Sequence, residues 1–204
     1  MKRFAVDVVL VPPNYVIDLA IEYNRILLKE HPTNIVLDKR QRLPHVSMMM
    51  GCLSGDKLQE AAMILPTIAR KFNYLDLNVK DIRTVNTSSG SSVVSFDISP
   101  DQPIIALHEF IVSSFRPLLT NDATPIDLND DPPIEVSSID WINSYISNSS
   151  LANFWPHITL GFGDYSKDFE PFSFQADRLA ICHLGNYCTC TKILAEVSLG
   201  NFLR

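Results

Sequence analysis

Two octapeptides of nearly the same sequence lie in the two halves of this 204-residue chain, and they constrain its fold more than any other feature. The first is Pro44-His45-Val46-Ser47-Met48-Met49-Met50-Gly51, and the second is Pro156-His157-Ile158-Thr159-Leu160-Gly161-Phe162-Gly163. The proline, the histidine and the last glycine are identical, and the three positions after the histidine match in chemistry. This near-repeat predicts a duplicated architecture, with a strand of the same kind in each half.

The two octapeptides have the alternation of half-buried strands. Side chains of a strand point to opposite faces in turn, so His45 and Ser47 share one face while Val46 and Met48 share the other. The same alternation separates the histidine and threonine of the second copy from their apolar neighbours. We therefore expect each strand to bury one apolar face and to present an imidazole and a hydroxyl on the other. Two such strands facing each other across a cleft would surround one small anion.

Two imidazoles and two hydroxyls are the groups that phosphodiester cleavage needs. A neutral histidine can take a proton from the attacking water or hydroxyl, and a protonated one can give a proton to the leaving oxygen. Histidine suits both roles because its unperturbed pKa is about 6.5. We expect His45 and His157 to be catalytic, and Ser47 and Thr159 to bind the phosphate oxygens. The alternative is that both histidines only make structural hydrogen bonds, which the matched repeat disfavours.

The rest of the chain mixes strands and helices without a regular βαβ order, which predicts an α+β fold. Helices are expected over 14–30, from Asp56, from Asp101 and from about Ser137, with a kink or a break at Pro66. The stretch 120–135 is rich in Asp and Pro and is expected to be a solvated loop. Strands are expected at 4–10, 45–51, 74–82, 92–98, 157–163, 174–183 and 192–199.

Composition restricts the partners. A formal net charge of −6 argues against a broad nucleic-acid-binding face, although it leaves room for a small cleft that handles one phosphate. No apolar run approaches the roughly 20 residues of a membrane span. The N-terminus has a basic start and an apolar stretch, but Asp7 interrupts that stretch and the alternation favours a strand over a signal peptide. We expect a monomeric cytoplasmic protein that binds neither DNA nor membrane.

The cysteines are interpreted as small apolar residues. Cys52, Cys182, Cys188 and Cys190 have no common zinc-ligand spacing, and no secretory context favours disulfides. The sequence from 184 to 187 is typical of a hairpin turn, which would place the last three cysteines on two paired strands. We expect no metal and no cofactor.

Other residues near the repeats are weaker candidates for substrate binding. Arg42 belongs to the basic cluster 39–42 before the first copy and could reach the phosphate, although a solvated loop explains the cluster equally well. Trp155 and Phe154 precede the second copy and could stack a base, although aromatic residues more often pack in the core. No role is assigned to His31, His108 or His183, and His108 is expected on the exposed side of its helix.

The two motifs resemble those of the two-histidine (2H) phosphoesterases, a superfamily that includes 2′-5′ RNA ligase-like proteins and cyclic phosphodiesterases. Its signature is two His-x-Thr/Ser-x motifs, which match His45-Val46-Ser47-Met48 and His157-Ile158-Thr159-Leu160. The resemblance implies one bilobal domain over residues 1–204, in which two pseudo-symmetric α/β lobes with antiparallel sheets flank a central cleft. It also implies metal-independent hydrolysis in RNA processing, on 2′,3′-cyclic phosphates or 2′-5′ linkages.

Other functions remain open from the sequence. The acidic charge favours a nucleotide or a short RNA end as the substrate over a long RNA. A 2′-5′ ligase would use the same groups in the reverse direction, and a non-catalytic protein could bind a nucleotide or RNA end in the same cleft. A serine hydrolase is disfavoured because the chain has no G-x-S-x-G elbow.

Overall fold

The computed structural model describes residues 2–30, 35–86, 90, 92–130 and 132–200. His31 lies outside these residues. The described residues form four helices, α1 (Asn14–Glu30), α2 (Leu58–Lys71), α3 (Gln102–Phe115) and α4 (Val136–Asn148). They also form nine strands: β1 (Arg3–Val11), β2 (Val46–Ser54), β3 (Leu75–Asn86), β4 (Ser92–Ile98), β5 (Leu119–Thr120), β6 (His157–Phe162), β7 (Phe172–Ala176), β8 (Arg178–Leu184) and β9 (Cys190–Ser198).

The strands form one antiparallel sheet with an internal symmetry. Its order is β7-β3-β4-β6-β2-β1-β8-β9, and the short β5 pairs with β2. Counting outward from the centre, each half has a motif strand (β6 or β2), a partner strand (β4 or β1) and two outer strands. The predicted α+β class with two related halves is confirmed. The halves are joined more closely than the sequence indicated, because β2 and β6 are neighbours in one sheet through the pair Val46–Ile158.

Local sequence explains the helix boundaries. Helix α3 follows the extended N-cap residue Asp101 and has Pro103 in its first turn, where a missing N–H costs nothing. Helix α2 runs without interruption through Pro66, so of the two outcomes expected there, a kink or a break, the break is wrong. Burial of one helix face against the sheet, including Leu65 and Ile68, outweighs the backbone hydrogen bond that the proline removes.

The main core fills the space between the sheet and helices α2 and α3. It takes the alternate residues of β1, β2, β4 and β6 that point away from the motif histidines, among them Val46, Met48, Ile158 and Leu160. Two smaller apolar clusters lie elsewhere: one packs residues of α1 on β1 and β8, and the other packs residues of α4 on β1 and β2. Among the described residues, no helix has the length and apolar character of a bilayer span.

Two sequence-based expectations are wrong. His108 is fully buried, because it lies beneath the segment that leads to the second motif. The described residues of the stretch 120–135 are mostly exposed, as expected, but the stretch is anchored by the buried Ala123, Asp127 and Leu128. Cys182 and Cys190 are joined by a disulfide across β8 and β9, so they are not independent apolar residues. Cys52 and Cys188 are free thiols.

Candidate active site

The two motif strands place all four predicted catalytic and phosphate-binding side chains on one face of the sheet. Val46 and Ile158 pair across the strands, and both are fully buried. Continuing this antiparallel register by one residue in either direction brings His45 level with Thr159, and Ser47 level with His157. All four of these side chains are half-buried, whereas the intervening motif residues are buried. The strands therefore contribute side by side to one site.

Both histidines are fixed in the same way. His45 Nδ1 lies 2.7 Å from the carbonyl oxygen of Leu43, and His157 Nδ1 lies 2.8 Å from the carbonyl oxygen of Trp155. A carbonyl only accepts, so each Nδ1 carries the proton and donates it. Each neutral ring then has its lone pair on Nε2, which is left for the chemistry of the site.

The environment of the histidines favours their neutral forms. Burial and, to a smaller extent, the nearby His157 lower the pKa of His45 to about 4, against the hydrogen bond to Leu43. Burial also lowers the pKa of His157, and the Arg83 charge acts in the same direction. The hydrogen bond to the Trp155 carbonyl and the Asp97 carboxylate raise it in part. The two imidazoles are thus close enough to repel each other when charged.

An extra residue interrupts the pairing of each motif strand. The pairing of β1 with β2 shifts between Val8–Met49 and Val9–Ser47, so Met48 is the extra residue of a β-bulge. The pairing of β4 with β6 shifts in the same way, and Leu160 is the extra residue there. Bulges increase local twist and re-aim side chains, and they occur often beside active sites. Here they bend both motif strands at the same position.

Trp155 lies against the second histidine. Its ring stacks on that of His157, with centroids 4.2 Å apart and planes at 20°. Its Nε1 donates a hydrogen bond of 2.7 Å to Asp97 Oδ1. The guanidinium of Arg83 lies 4.8 Å from the centre of the same ring. Trp155 thus contacts a catalytic candidate directly, and its predicted role in stacking a base remains a prediction.

The remaining sequence candidates lie in other settings. Arg42 forms an ion pair with Asp130, with Nη2 3.5 Å from Oδ2, so its predicted phosphate contact remains a prediction. Phe154 stacks on the buried His108 with ring centroids 3.8 Å apart, as core packing predicts. Among the described residues, no group of three or more His, Cys, Asp or Glu side chains is arranged to hold a metal ion.

The sequence did not identify four further polar residues of this face. Strand pairing aligns Asp97 with His157, and it aligns Ser95 with both Thr159 and Arg83. Asp7 lies on β1, fully buried, with Oδ2 3.7 Å from His45 Nε2. Only Asp7 left a signal in the sequence, since a carboxylate inside an apolar strand needs a partner. The other three become visible only once the register of β3, β4 and β6 is known.

No protein-family model and no curated protein sequence matches the chain. Solved structures do match over nearly its whole length. E. coli LigT in complex with 3′-AMP has a TM-score of 0.57 at 13% identity, covering 98% of this chain and 100% of LigT. The chain has the LigT fold. TT0787 of Thermus thermophilus has a TM-score of 0.61 at 12% identity, covering 98% of this chain and 100% of TT0787.

The likeness to these structures confirms the expected α+β architecture. E. coli LigT in complex with ATP matches with a TM-score of 0.55 at 14% identity, covering 98% of this chain and 99% of LigT. Identities this low establish a shared fold, and the chemistry of this chain has to be argued from its own residues.

Proposed function

We propose that the protein is a metal-independent phosphodiesterase that acts on 2′,3′-cyclic phosphates or 2′-5′ linkages of nucleotides or short RNA ends. One observation carries the proposal. Two histidines on adjacent strands have their Nδ1 atoms fixed by the carbonyl two residues earlier, so that both neutral rings keep Nε2 for proton transfer. A purely structural pair has no reason to share this geometry in both halves of the sheet.

The chemistry follows from the positions of the donors and acceptors. One imidazole takes the proton of the attacking water, while the other, when protonated, gives a proton to the leaving oxygen. The hydroxyls of Ser47 and Thr159 lie on the same face and can donate to the two non-bridging oxygens of the phosphate, Ser47 by turning away from Asp7, with which it is hydrogen-bonded in the free protein. Such donors stabilise the charge that develops on those oxygens in the transition state.

The charges around the site favour a small anionic substrate. Arg83 is exposed on the face that carries His157, and we propose that it contacts the substrate phosphate or a neighbouring one. The net charge of −6 disfavours a long polyanion. The E. coli LigT structures include complexes with 3′-AMP, phosphate, ATP and NADP+, so this fold holds nucleotides in that protein.

The test is turnover in EDTA of a panel of 2′,3′-cyclic nucleotides and 2′-5′-linked dinucleotides. Wild type should form phosphate-bearing products, and His45→Ala and His157→Ala should each lower kcat by about 10²–10⁴-fold. His183→Ala is the matched control, because it removes a largely buried imidazole outside the site. Circular dichroism of each variant excludes loss of the fold.

The other outcomes separate the alternatives. Saturable binding of the panel with no product from wild type would indicate a non-catalytic nucleotide-binding protein. Joining of 2′,3′-cyclic and 5′-hydroxyl RNA ends would indicate a 2′-5′ ligase. Equal turnover by wild type and both alanine variants would overturn the proposal.

A further inference from the structure

The two halves of the site are alike in their motifs but differ in one buried carboxyl group. Asp7 belongs to β1, where it pairs with Met50 of β2 and Cys182 of β8, and its side chain has no exposed surface. Its Oδ1 accepts a hydrogen bond of 3.3 Å from the Met49 amide. Its Oδ2 lies 3.7 Å from His45 Nε2, the nitrogen that the Nδ1–Leu43 hydrogen bond leaves unprotonated.

The position of Asp7 Oδ2 is unusual. Only two buried side-chain nitrogen or oxygen atoms of the described residues have no hydrogen-bond partner, and Asp7 Oδ2 is one of them. The gap of 3.7 Å to His45 is longer than a hydrogen bond, but a small rotation of either side chain closes it. A buried polar atom without a hydrogen-bond partner needs an explanation in a folded protein, and proton exchange with the adjacent imidazole of His45 provides one.

The second half has no equivalent of this arrangement. Asp97 is aligned with His157, but both of its oxygens are already engaged. Oδ1 accepts from Trp155 Nε1, and Oδ2 lies 3.3 Å from Lys80 Nζ. No ion pair with His157 occurs in the described part of the chain. The carboxyl group next to His45 thus has an oxygen without a hydrogen-bond partner, whereas both oxygens of the one next to His157 have partners.

The protonation states of Asp7 and His45 also favour a role of Asp7 in proton transfer. Burial raises the pKa of Asp7 to about 8, against the hydrogen bonds from Ser47 and the amides of Met49 and Met48. Burial lowers the pKa of His45 to about 4, so at neutral pH the Asp7–His45 pair retains one proton. The pKa of His157 is also lowered. The free protein therefore has two neutral imidazoles and stores its acidic proton on Asp7.

The other titratable groups that face Asp7 do not compete for this role. Tyr145 of α4 and Cys188, in the turn between β8 and β9, both have raised pKa values because they are buried, and the Asp7 charge contributes to both shifts. Both remain protonated and uncharged at neutral pH. Within the described part of the chain, no cation lies where it would favour the ionised form of Asp7.

We propose that Asp7 is a positioning residue that stores the proton which His45 delivers, so that His45 is the general acid and His157 the general base. Binding of an anionic substrate moves the proton from Asp7 Oδ2 to His45 Nε2, because the imidazolium is stabilised by the phosphate. His157 Nε2 takes a proton from water, whose oxygen bonds to phosphorus. The bond from phosphorus to the leaving ribose oxygen breaks, and that oxygen takes the electron pair and the His45 proton. Solvent returns the proton from His157 to Asp7.

This assignment rests on the proposed function, and it predicts a dependence on the leaving group. Asp7→Asn should lower kcat for a 2′,3′-cyclic nucleotide by about 10²-fold or more, with little change in KM. Bis(4-nitrophenyl) phosphate has no hydroxyl group that could attack in place of water, and its leaving group needs no proton, so its turnover should change only a few-fold. His45→Ala should show the same contrast, and His157→Ala should impair both substrates.

The pH profile gives a second readout that a merely structural role would not move. In wild type, kcat/KM for the cyclic substrate should fall as the pH rises through about 8, where the Asp7–His45 pair loses its proton. In Asp7→Asn this alkaline limb should move to lower pH. Asp97→Asn is the matched control and should leave the alkaline limb in place. Equal losses on both substrates in Asp7→Asn, with an unchanged profile, would overturn the proposal.

A measurement without turnover separates this proposal from the proposed function. Nitrogen-15 NMR of the His45 ring at pH 7 should show a neutral imidazole in the free protein and an imidazolium with saturating 3′-AMP. In Asp7→Asn, the His45 ring should remain neutral with the same ligand. A His45 ring that stays neutral in the wild-type complex would overturn the role of Asp7 even if the enzyme is active. A proton shift without any turnover would contradict only the proposed function.

Discussion

His108 and Asn24 perform the same task on opposite halves of the sheet. His108 Nδ1 donates to the carbonyl of Met48, at 2.9 Å, and Asn24 Nδ2 donates to the carbonyl of Leu160, at 2.7 Å. Met48 and Leu160 are the bulged residues, each three positions after a motif histidine. A helix side chain therefore satisfies the carbonyl group at the bend of each motif strand.

Each of these side chains also holds the segment that leads to the opposite motif. His108 Nε2 accepts a hydrogen bond of 2.8 Å from the Leu151 amide, ahead of the second motif. Asn24 Oδ1 accepts one of 3.0 Å from the Leu37 amide, ahead of the first. Both side chains are fully buried. His108 and Asn24, which we call the two polar clamps, thus connect the two motifs by hydrogen bonds and keep the bent strands in one relative position.

Removal of either clamp should destabilise the protein strongly. His108→Leu and Asn24→Leu keep the side-chain volume but leave buried backbone groups without partners, at about 1–3 kcal/mol for each group. We expect each variant to lose about 2–4 kcal/mol of the free energy of unfolding, measured in urea. Asn148→Leu changes an exposed asparagine and should stay within about 0.5 kcal/mol of wild type. If His108→Leu and Asn24→Leu also lost only about 0.5 kcal/mol of the free energy of unfolding, water would be replacing the hydrogen bonds of the clamps.

The histidine clamp should also make stability depend on pH, unlike the asparagine clamp. Burial lowers the pKa of His108 to about 4, whereas the unfolded chain titrates at about 6.5. The unfolded state therefore binds one more proton between these values, so stability is present above pH 6.5 and is lost as the pH falls towards 4. His108→Gln supplies the amide that Asn24 uses, without this proton. Between pH 7 and pH 5, the free energy of unfolding of His108→Gln should fall by about 1–2 kcal/mol less than that of wild type.

Urea titrations of both proteins at the two pH values measure this difference directly. His45, His157, His183 and Asp7 are present in both proteins, so their contributions cancel in the comparison. Parallel pH dependence of wild type and His108→Gln would mean that His108 is accessible to protons in the folded state.

The sequence predicted the motif strands well because their information is local. His45, Ser47, His157 and Thr159 alternate with apolar residues in a repeated pattern, and strand geometry places them on a common face from that pattern alone. Most strands and all four helices were likewise predicted close to their observed positions, because the apolar periodicity and residues such as Asp101 are local signals.

The parts that were missed depend on pairing between distant segments. His108 was placed on the exposed side of its helix, because a helical stripe does not show that a second segment covers the other side. Arg83, Ser95 and Asp97 face the site only in the observed register of β3, β4 and β6, which sequence periodicity does not determine. Cys182 and Cys190 are eight residues apart, and only the pairing of β8 with β9 brings them together.

The disulfide predicts a specific thiol content. The protein has four cysteines, and Cys52 and Cys188 are free. A thiol reagent in denaturant should therefore titrate two thiols before reduction and four afterwards. Cross-linking of a short loop restricts the unfolded chain, so reduction should lower the free energy of unfolding by about 2–3 kcal/mol. The double variant Cys182→Ala/Cys190→Ala should be insensitive to reductant. Four thiols before reduction would contradict the bond.

Arg83 should tune the basicity of His157. Its positive charge lowers the pKa of that imidazole, so Arg83→Gln should raise it. If His157 is the general base, it works only when neutral, and the acidic limb of the kcat/KM profile should then move to higher pH. Arg83→Lys keeps the charge and should leave the limb in place, although a lysine forms no bidentate contact with phosphate. We therefore expect KM to rise in both variants and the limb to move only in Arg83→Gln. Movement of the alkaline limb instead would assign His157 as the acid and contradict the roles derived from Asp7.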